Sequence, residues 1–301
     1  MDELWATATD TEYGTTSERF AYYRCPSCDC LSIDPLPADR LEEIYPPTYY
    51  SFASPEAQGR VTIAERVKAW LDRRSFRRAA ALIGSDSPRI LDVGGGVGAI
   101  SGAFVRASGG RATATVVDID PKSVEAAKAR GLEGVACRFE DFETDRRFDL
   151  VLMLNLVEHV ADPIALLRKA RGLLEPGGLV WLQTPNFRAL DGRVFRHHNW
   201  AGYHCPRHWV IFSETGLPRA LSAAGLEPAW FTRAQGGAFW AASLLGLPRA
   251  SRPPSGPELP RPLVCYRSFM PLAAAGAAFD LMTRRVRAVS QVVILARVSN
   301  T

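Results

Sequence analysis

Ile90-Leu91-Asp92-Val93-Gly94-Gly95-Gly96-Val97-Gly98-Ala99 is the stretch that decides the fold of this 301-residue chain. The apolar run from Pro88 to Val93, broken only by Arg89 and Asp92, reads as a buried strand that carries a carboxylate near its end. Glycines at the alternate positions 94, 96 and 98 follow, and then a helix-like segment through Ser101, Phe104 and Val105. Glycine lets the main chain turn sharply and lets a ligand approach it without an intervening Cβ. The helix start beyond offers unpaired N–H groups. A nucleotide-type cofactor at the carboxyl end of a parallel strand suits such a corner.

Outward from that corner the pattern alternates. Strands are expected at 89–93, 113–118, 134–138, 148–154 and 178–184, with helices at 98–108, 121–130 and 162–174. Short apolar runs separated by helical segments predict a parallel sheet with right-handed crossovers. Pro121 suits the first turn of its helix, and Pro176-Gly177-Gly178 stops another helix before its strand. Ser213 reads as a helix N-cap, followed by a strand through Ala229–Thr232 and a last strand through Val292–Ala296. The fold class is therefore α/β: a Rossmann-like doubly wound sheet, mostly parallel with an antiparallel last strand. Residues 1–56 form an N-terminal extension, and 57–240 with 288–301 form the main domain. Residues 241–287 hold a proline-rich linker and an apolar helical insertion or cap.

Composition sets the outer limits. Hydrophobic residues make up 47% and charged residues 23%, ordinary values for a water-soluble globular chain. A net charge of +4 is too weakly basic to call for a nucleic-acid partner. Six unevenly spaced cysteines do not form a secreted disulfide framework. Met1-Asp2-Glu3-Leu4 lacks the basic and apolar regions of a signal peptide, so a cytoplasmic location is expected.

Several segments carry possible chemistry. Cys25-Pro26-Ser27-Cys28 is half of a zinc ribbon, but tetrahedral zinc needs four ligands, and a reduced turn is the expectation. An amphipathic helix is expected over 59–83. Arg66, Lys68, Arg73, Arg74, Arg77 and Arg78 form a polar face that is either solvated or receives an anionic or carrier-linked substrate. Residues 187–212 read as a long loop rich in His, Trp and Arg, and structureless loops of that length tend to be functional. All five histidines fall between 159 and 208. His204 and His208 stand four apart, so a helical turn would bring them to one side. The apolar segment 263–282 reads either as a cap over the substrate pocket or as a peripheral membrane contact extending to 285.

Gly94-x-Gly96-x-x-Ala99 alone also satisfies the dinucleotide fingerprint. Further along, Val117-Asp118-Ile119-Asp120, Phe139-Glu140-Asp141-Phe142, Val157-Glu158-His159-Val160-Ala161-Asp162-Pro163 and Leu174-Glu175-Pro176-Gly177-Gly178 follow in order. With these the chain resembles the class I S-adenosylmethionine-dependent methyltransferases over about 88–185. His204–Ser213 and the cysteine-containing N-terminus are similar to a bacterial subgroup acting on small molecules or sugars. The resemblance implies S-adenosylmethionine as cofactor. Gly94, Gly96 and Gly98 would pass beneath its methionine and ribose parts, Asp118 would hold the ribose, and Asp141 or its neighbour Glu140 would lie by the adenine. Asp92, Ile119 and Asn155 complete the implied cofactor set. Asp92 either orders the turn or touches the cofactor. Some quinone-modifying relatives place an acidic residue where Asn155 stands. The amide is a weak ligand beside Glu158 and His159, so no metal is expected.

The implied reaction is methyl transfer to a small molecule, with an oxygen acceptor favoured and a glycan or secondary-metabolite pathway as setting. An oxygen nucleophile gains from a base that takes its proton, and histidine suits that work. The catalytic candidates are His208, His159 and His204. An N-methyltransferase is the nearest variant. A non-catalytic subunit of the same fold and a nicotinamide oxidoreductase are the rivals.

Overall fold

A computed structural model describes residues 2–46, 49, 75–251, 262–285 and 288–299. Of the helix expected over 59–83, residues 59–74 with Arg66, Lys68, Arg73 and Arg74 lie outside the described residues, as does most of the proline-rich linker. The chain starts with three antiparallel strands, β1 (Glu3–Ala8), β2 (Phe20–Arg24) and β3 (Leu31–Asp34), then a single helical turn, α1 (Leu41–Ile44). A helix over 75–83, α2, leads into β4 (Arg89–Val93). There follow α3 (Ala99–Ala107), β5 (Thr113–Asp118), α4 (Pro121–Ala129), β6 (Glu133–Ala136), β7 (Phe148–Leu154), α5 (Pro163–Gly172) and β8 (Leu174–Pro185). The second half adds α6 (Leu190–Val194), β9 (Val210–Ile211), α7 (Gly216–Ala223), β10 (Leu226–Ala234), α8 (Gly237–Ser251), α9 (Phe269–Thr283) and β11 (Gln291–Val298).

Seven strands form one sheet in the order β10-β11-β8-β7-β4-β5-β6. The pairs β4–β5, β4–β7, β5–β6 and β7–β8 are parallel, while β11 runs antiparallel to both of its neighbours. Alternation along each strand sends side chains to two opposite cores. Leu91, Val93, Val151, Met153, Val180 and Leu182 pack on one face against Leu166 and Leu167 of α5 and Leu217 and Leu221 of α7. Ile90, Val116, Leu150, Leu152 and Trp181 face the other way, toward Phe76 of α2, Phe104 of α3 and Ala127 of α4. Covering both faces with helices is what lets the central strands be apolar throughout. Pro121 stands in the first turn of α4, where Asp120 accepts from the N–H groups of Lys122 and Ser123.

The main departure from expectation is at 187–212. Instead of an unstructured loop it holds α6, a 3-10 turn at Ala201–Tyr203 and strand β9. Its aromatic side chains Phe187, Phe195, Trp200, Tyr203 and Trp209 are buried with Phe20, Tyr22, Leu31 and Ile33 of the N-terminal strands. β9 extends their sheet by pairing with β3. His204 and His208 are not joined by a helical turn. His204 has a left-handed backbone (φ 38°), and the Cys205–Pro206 peptide bond is cis.

The Cys25–Cys28 turn between β2 and β3 is docked on the body through Asp29. That carboxylate accepts from Arg24, Arg188, Ser213 and Thr215. Burial opposes its charge, but these donors outweigh burial and hold its carboxyl well below the usual range. All six cysteines are free thiols, and among the described residues no third metal-type ligand converges on Cys25 and Cys28.

Arg207 ties the two halves of this wall together. It is fully buried and pairs with Asp10 at 2.9 Å, and Asp10 also accepts from the N–H groups of Tyr13 and Thr15. Removing one member of a buried pair leaves the other charge uncompensated. Asp10→Ala should therefore destabilise the fold by about 3–5 kcal/mol in urea titration at neutral pH. A loss of only about 1 kcal/mol, typical of an exposed pair, would contradict this account.

Candidate active site

The glycine corner joins the carboxyl ends of β4 and β5. Gly94, Gly96 and Gly98 adopt φ of 65°, 54° and 67°, the left-handed region that side chains with a Cβ rarely enter. The Gly94 N–H donates to the Val117 carbonyl, and the Gly96 N–H donates to Asp118 Oδ2, both at 2.8 Å. Asp118 Oδ1 accepts from the Asp120 N–H at 2.9 Å. Asp118 is half-buried. Burial raises its carboxyl above the ordinary value despite the opposing N–H donors. Its remaining lone pairs are suited to a vicinal diol, and α3 begins without a side-chain cap, leaving N–H groups for a ligand carboxylate. The donor set fits a nucleoside bearing an amino-acid tail.

Asp92 lies beneath this turn. A Cβ on Gly95 would stand 2.5 Å from the Asp92 carboxyl carbon. Burial pushes the Asp92 carboxyl up to about 6, against hydrogen bonding from Ser101. Among the other expected cofactor residues, Ile119 is exposed just past β5, and Glu140 and Asp141 are exposed on a 3-10 turn whose Phe139 is buried. Asn155 has a positive φ of 53°, and its side-chain oxygen accepts from Gln291 at 3.0 Å. All of these residues lie at or just past the carboxyl ends of β4 to β7, at one edge of the sheet.

The step from this cradle to the histidines is short. Leu156 lies against Gly94, where an added Cβ would meet its Cδ1 at 2.9 Å. The 3-10 turn Val157–His159 begins with the next residue. Backbone hydrogen bonding from Trp209 N–H to the Glu158 carbonyl (2.7 Å) brings 204–209 onto it. The rings of His159, His204 and His208 thereby form one cluster, with centroids 4.5 to 6.0 Å apart.

Each ring has defined partners. His159 Nδ1 and the Tyr45 hydroxyl are 2.9 Å apart, and His204 Nε2 and the Tyr49 hydroxyl 3.1 Å apart. His204 Nδ1–H donates to Glu12 Oε2 at 2.7 Å. His208 Nδ1–H donates to the Gly202 carbonyl at 2.8 Å, which leaves the Nε2 lone pair facing the cluster. His159 is half-buried, whereas His204 and His208 are buried. Burial lowers His159 to about 3, with a further contribution from the His204 ring, and it lowers His208 likewise. His159 and His208 are therefore neutral at physiological pH.

Glu158 sits behind the rings, fully buried. Its Oε2 accepts from the Thr184 hydroxyl at 3.0 Å, and its Oε1, without a hydrogen-bond partner, lies 3.9 Å from His208 Nε2. Burial raises this carboxyl to about 8, so it is mostly protonated at neutral pH. Glu158, His159 and His208 each offer a ligand atom within 4.8 Å of the others, the only such grouping of three found among the described residues. Asn155 is not part of it.

The three candidate histidines thus meet, although not on a helical turn. Sequence reasoning did not single out Tyr45, Tyr49, Glu12 and Arg207 as site residues. Tyr45 and Tyr49 stood in an aromatic run and Arg207 within the His204–Ser213 resemblance, whereas Glu12 gave no signal. The Arg207 guanidinium lies 4.6 Å from the Tyr13 ring centre and 6.0 Å from those of Tyr45 and Tyr49, a cationic floor to the aromatic wall.

A family model described as a methyltransferase domain matches residues 62–229. The ubiquinone biosynthesis O-methyltransferase of Bordetella avium is 32% identical over 155 residues, covering 46% of this chain and 62% of that protein. The protein of the same name from Xanthomonas campestris pv. campestris is 36% identical over 115 residues, covering 36% and 47%. The matches thus span about half to three-fifths of the length of these curated relatives. Among solved structures, coclaurine N-methyltransferase bound to N-methylheliamine and SAH aligns with a TM-score of 0.52 at 14% identity, over 82% of this chain and 74% of that one. A putative sarcosine dimethylglycine methyltransferase from Galdieria sulphuraria gives 0.50 at 15% identity, over 80% and 92%. At such identities these structures speak for the fold alone.

The buried carboxyl makes a prediction about pH. The unfolded chain releases the Glu158 proton near 4.5, whereas the fold retains it up to about 8. Its stabilising contribution is thus full below 4.5 and is lost as pH rises through 8. In paired urea titrations across that window, the wild type should lose stability relative to Glu158→Gln as pH rises. Parallel pH profiles would show that Glu158 is ionised in the fold.

Proposed function

The chain belongs to the class I S-adenosylmethionine-dependent methyltransferases, and from that premise we propose that it methylates a hydroxyl of a small-molecule acceptor in glycan or secondary-metabolite biosynthesis. The observation that carries the oxygen preference is the pair of neutral imidazoles, His159 and His208, the former three residues beyond the leucine that lies on the glycine corner. When bound, S-adenosylmethionine supplies a methyl group already activated on a sulfonium. Asp118 would hold the ribose hydroxyls, and the glycines 94, 95, 96 and 98 would leave the main chain open to the nucleoside. The first N–H groups of α3 receive the carboxylate of the methionine part.

Of the three rings, His159 is the most accessible, and it takes the acceptor's proton. Its Nδ1 contact with Tyr45 fixes the ring orientation. His208 and protonated Glu158 stand behind it, keeping water out and the ring neutral. His204, locked between Glu12 and Tyr49, is a positioning residue of the wall. The relatives' printed name, ubiquinone biosynthesis O-methyltransferase, supports an oxygen acceptor.

Two measurements test this reading. Asp118→Ala removes charged hydrogen bonds worth about 1.5–3 kcal/mol each, so calorimetry with S-adenosylhomocysteine should show at least about tenfold weaker binding. Unchanged affinity would move the cofactor elsewhere. For the acceptor, the chain is incubated with isotopically methyl-labelled cofactor and a panel of phenols, sugars and amines. Label should enter hydroxylated compounds, and His159→Ala should lower kcat by about a hundredfold to ten-thousandfold with S-adenosylhomocysteine affinity retained. Label entering amines alone, or a fully active His159→Ala, would refute the oxygen reading.

A further inference from the structure

The helix α9 has one face pressed hard onto the body and another that is apolar and exposed. On the inner side, a Cβ added to Gly276 would lie 2.6 Å from the Trp240 side chain, and one added to Gly237 would lie 2.0 Å from the Ala273 carbonyl oxygen. Asp280 is buried on the same side and accepts from the Gly236 N–H, Trp240 Nε1 and the Ser290 hydroxyl. These contacts fix the helix in rotation, so its outer face is a defined surface.

That outer face carries Met270, Pro271, Ala274, Ala275, Ala278 and Met282, all exposed and spaced three or four apart along one side. Met270 is 64% exposed and Met282 76%. No charged side chain interrupts the row. Charge lies at its ends, and it is of one sign. Residues 262–285 include Arg267, Arg284 and Arg285 and a single acid, the buried Asp280. Contiguous exposed apolar surface marks an interaction site. An apolar strip with cationic ends complements a surface that is apolar below and anionic above.

The helix has 15 residues, about 22 Å at 1.5 Å each, against about 30 Å of bilayer hydrocarbon. No helix of the described residues is long and apolar enough to cross a membrane. From these observations we infer that the outer face of α9 docks the protein on the surface of an anionic phospholipid bilayer, lying in the interface with Met270 and Met282 inserted and Arg267 and Arg285 at phosphate level. The pair α8 and α9 also rests on the wall of the histidine cluster, where the Ala201 N–H donates to Ser243 of α8 at 2.9 Å. Docking therefore takes place on an element rigidly joined to the proposed acceptor side.

The test is flotation of the full chain with vesicles of phosphatidylcholine alone or mixed with phosphatidylglycerol. The wild type should float with the mixed vesicles, bind phosphatidylcholine weakly, and lose binding as salt rises. Met270→Glu/Met282→Glu should weaken flotation at least tenfold. Arg267→Glu/Arg285→Glu, which leaves the apolar row intact, should do so through charge, each arginine near an anionic surface favouring binding by about fivefold. Both variants should keep the wild-type melting curve and affinity for S-adenosylhomocysteine, so failure of docking and failure of the methyltransferase reading are told apart. A wild type that stays unbound with mixed vesicles overturns the inference, as does flotation insensitive to both variants. So does sedimentation velocity showing a dimer abolished by Met270→Glu/Met282→Glu in place of vesicle binding, which would assign the face to a second copy.

Discussion

A buried carboxylate packed under a glycine sets the geometry on which the site depends. Asp92 fills the space directly below Gly95, at a distance that excludes any Cβ there. The turn above it must therefore be glycine, and its neighbours at 94, 96 and 98 take left-handed backbone conformations. The main chain then passes from β4 to α3 through four glycines and Val97, and the Gly96 N–H is aimed at Asp118. A substitution at this corner would disturb three things together: the end of β4, the position of the β5 carboxylate and the start of α3. The cofactor edge of the sheet is thus built by packing from below.

The wall around the histidines obeys a different constraint. It is assembled from segments far apart in the chain: the N-terminal strands, Tyr45 and Tyr49, the end of β7, and residues 199–209. None of these can bury its polar groups alone. Asp10 needs Arg207, Glu12 needs His204, and the Tyr22 hydroxyl donates to the carbonyls of Tyr203 and His208. Paired in this way, polar groups can line a largely water-free wall without large desolvation costs. The same wall keeps His159 and His208 neutral, because burial penalises the imidazolium form.

This difference explains what was legible in the sequence. The strands 89–93, 113–118 and 148–154 coincide with the observed elements because each is a short apolar run buried on both faces, a signal contained within the run itself. The position of the antiparallel last strand was legible for the same reason. The segment 187–212 was not, because its aromatic residues find their partners about 150 to 190 residues earlier, among Phe20, Tyr22 and Leu31. Local periodicity carries no record of such pairing. That His204 and His208 would lie together was anticipated, though by a helical turn that is absent, and the neutrality of His159 and His208 was not. It follows from burial and from the contact of Trp209 with Glu158, neither of which spacing reveals.

Neutrality bears on the choice between oxygen and nitrogen acceptors in the proposed reaction. A typical amine reaches the site protonated at physiological pH and must lose that proton before its lone pair can attack. A ring held to about 3 is too weak a base to remove it. A hydroxyl is in the opposite position. Its oxygen already has lone pairs, and its proton becomes strongly acidic only as the new oxygen–carbon bond forms. A weak, neutral base within reach is then sufficient, and it has the further merit of not repelling the positive charge that develops next to it. A fully charged imidazolium at the same place would oppose the cationic cofactor. In the proposed reaction, the burial that depresses His159 and His208 suits an alcohol or phenol better than an amine that arrives protonated.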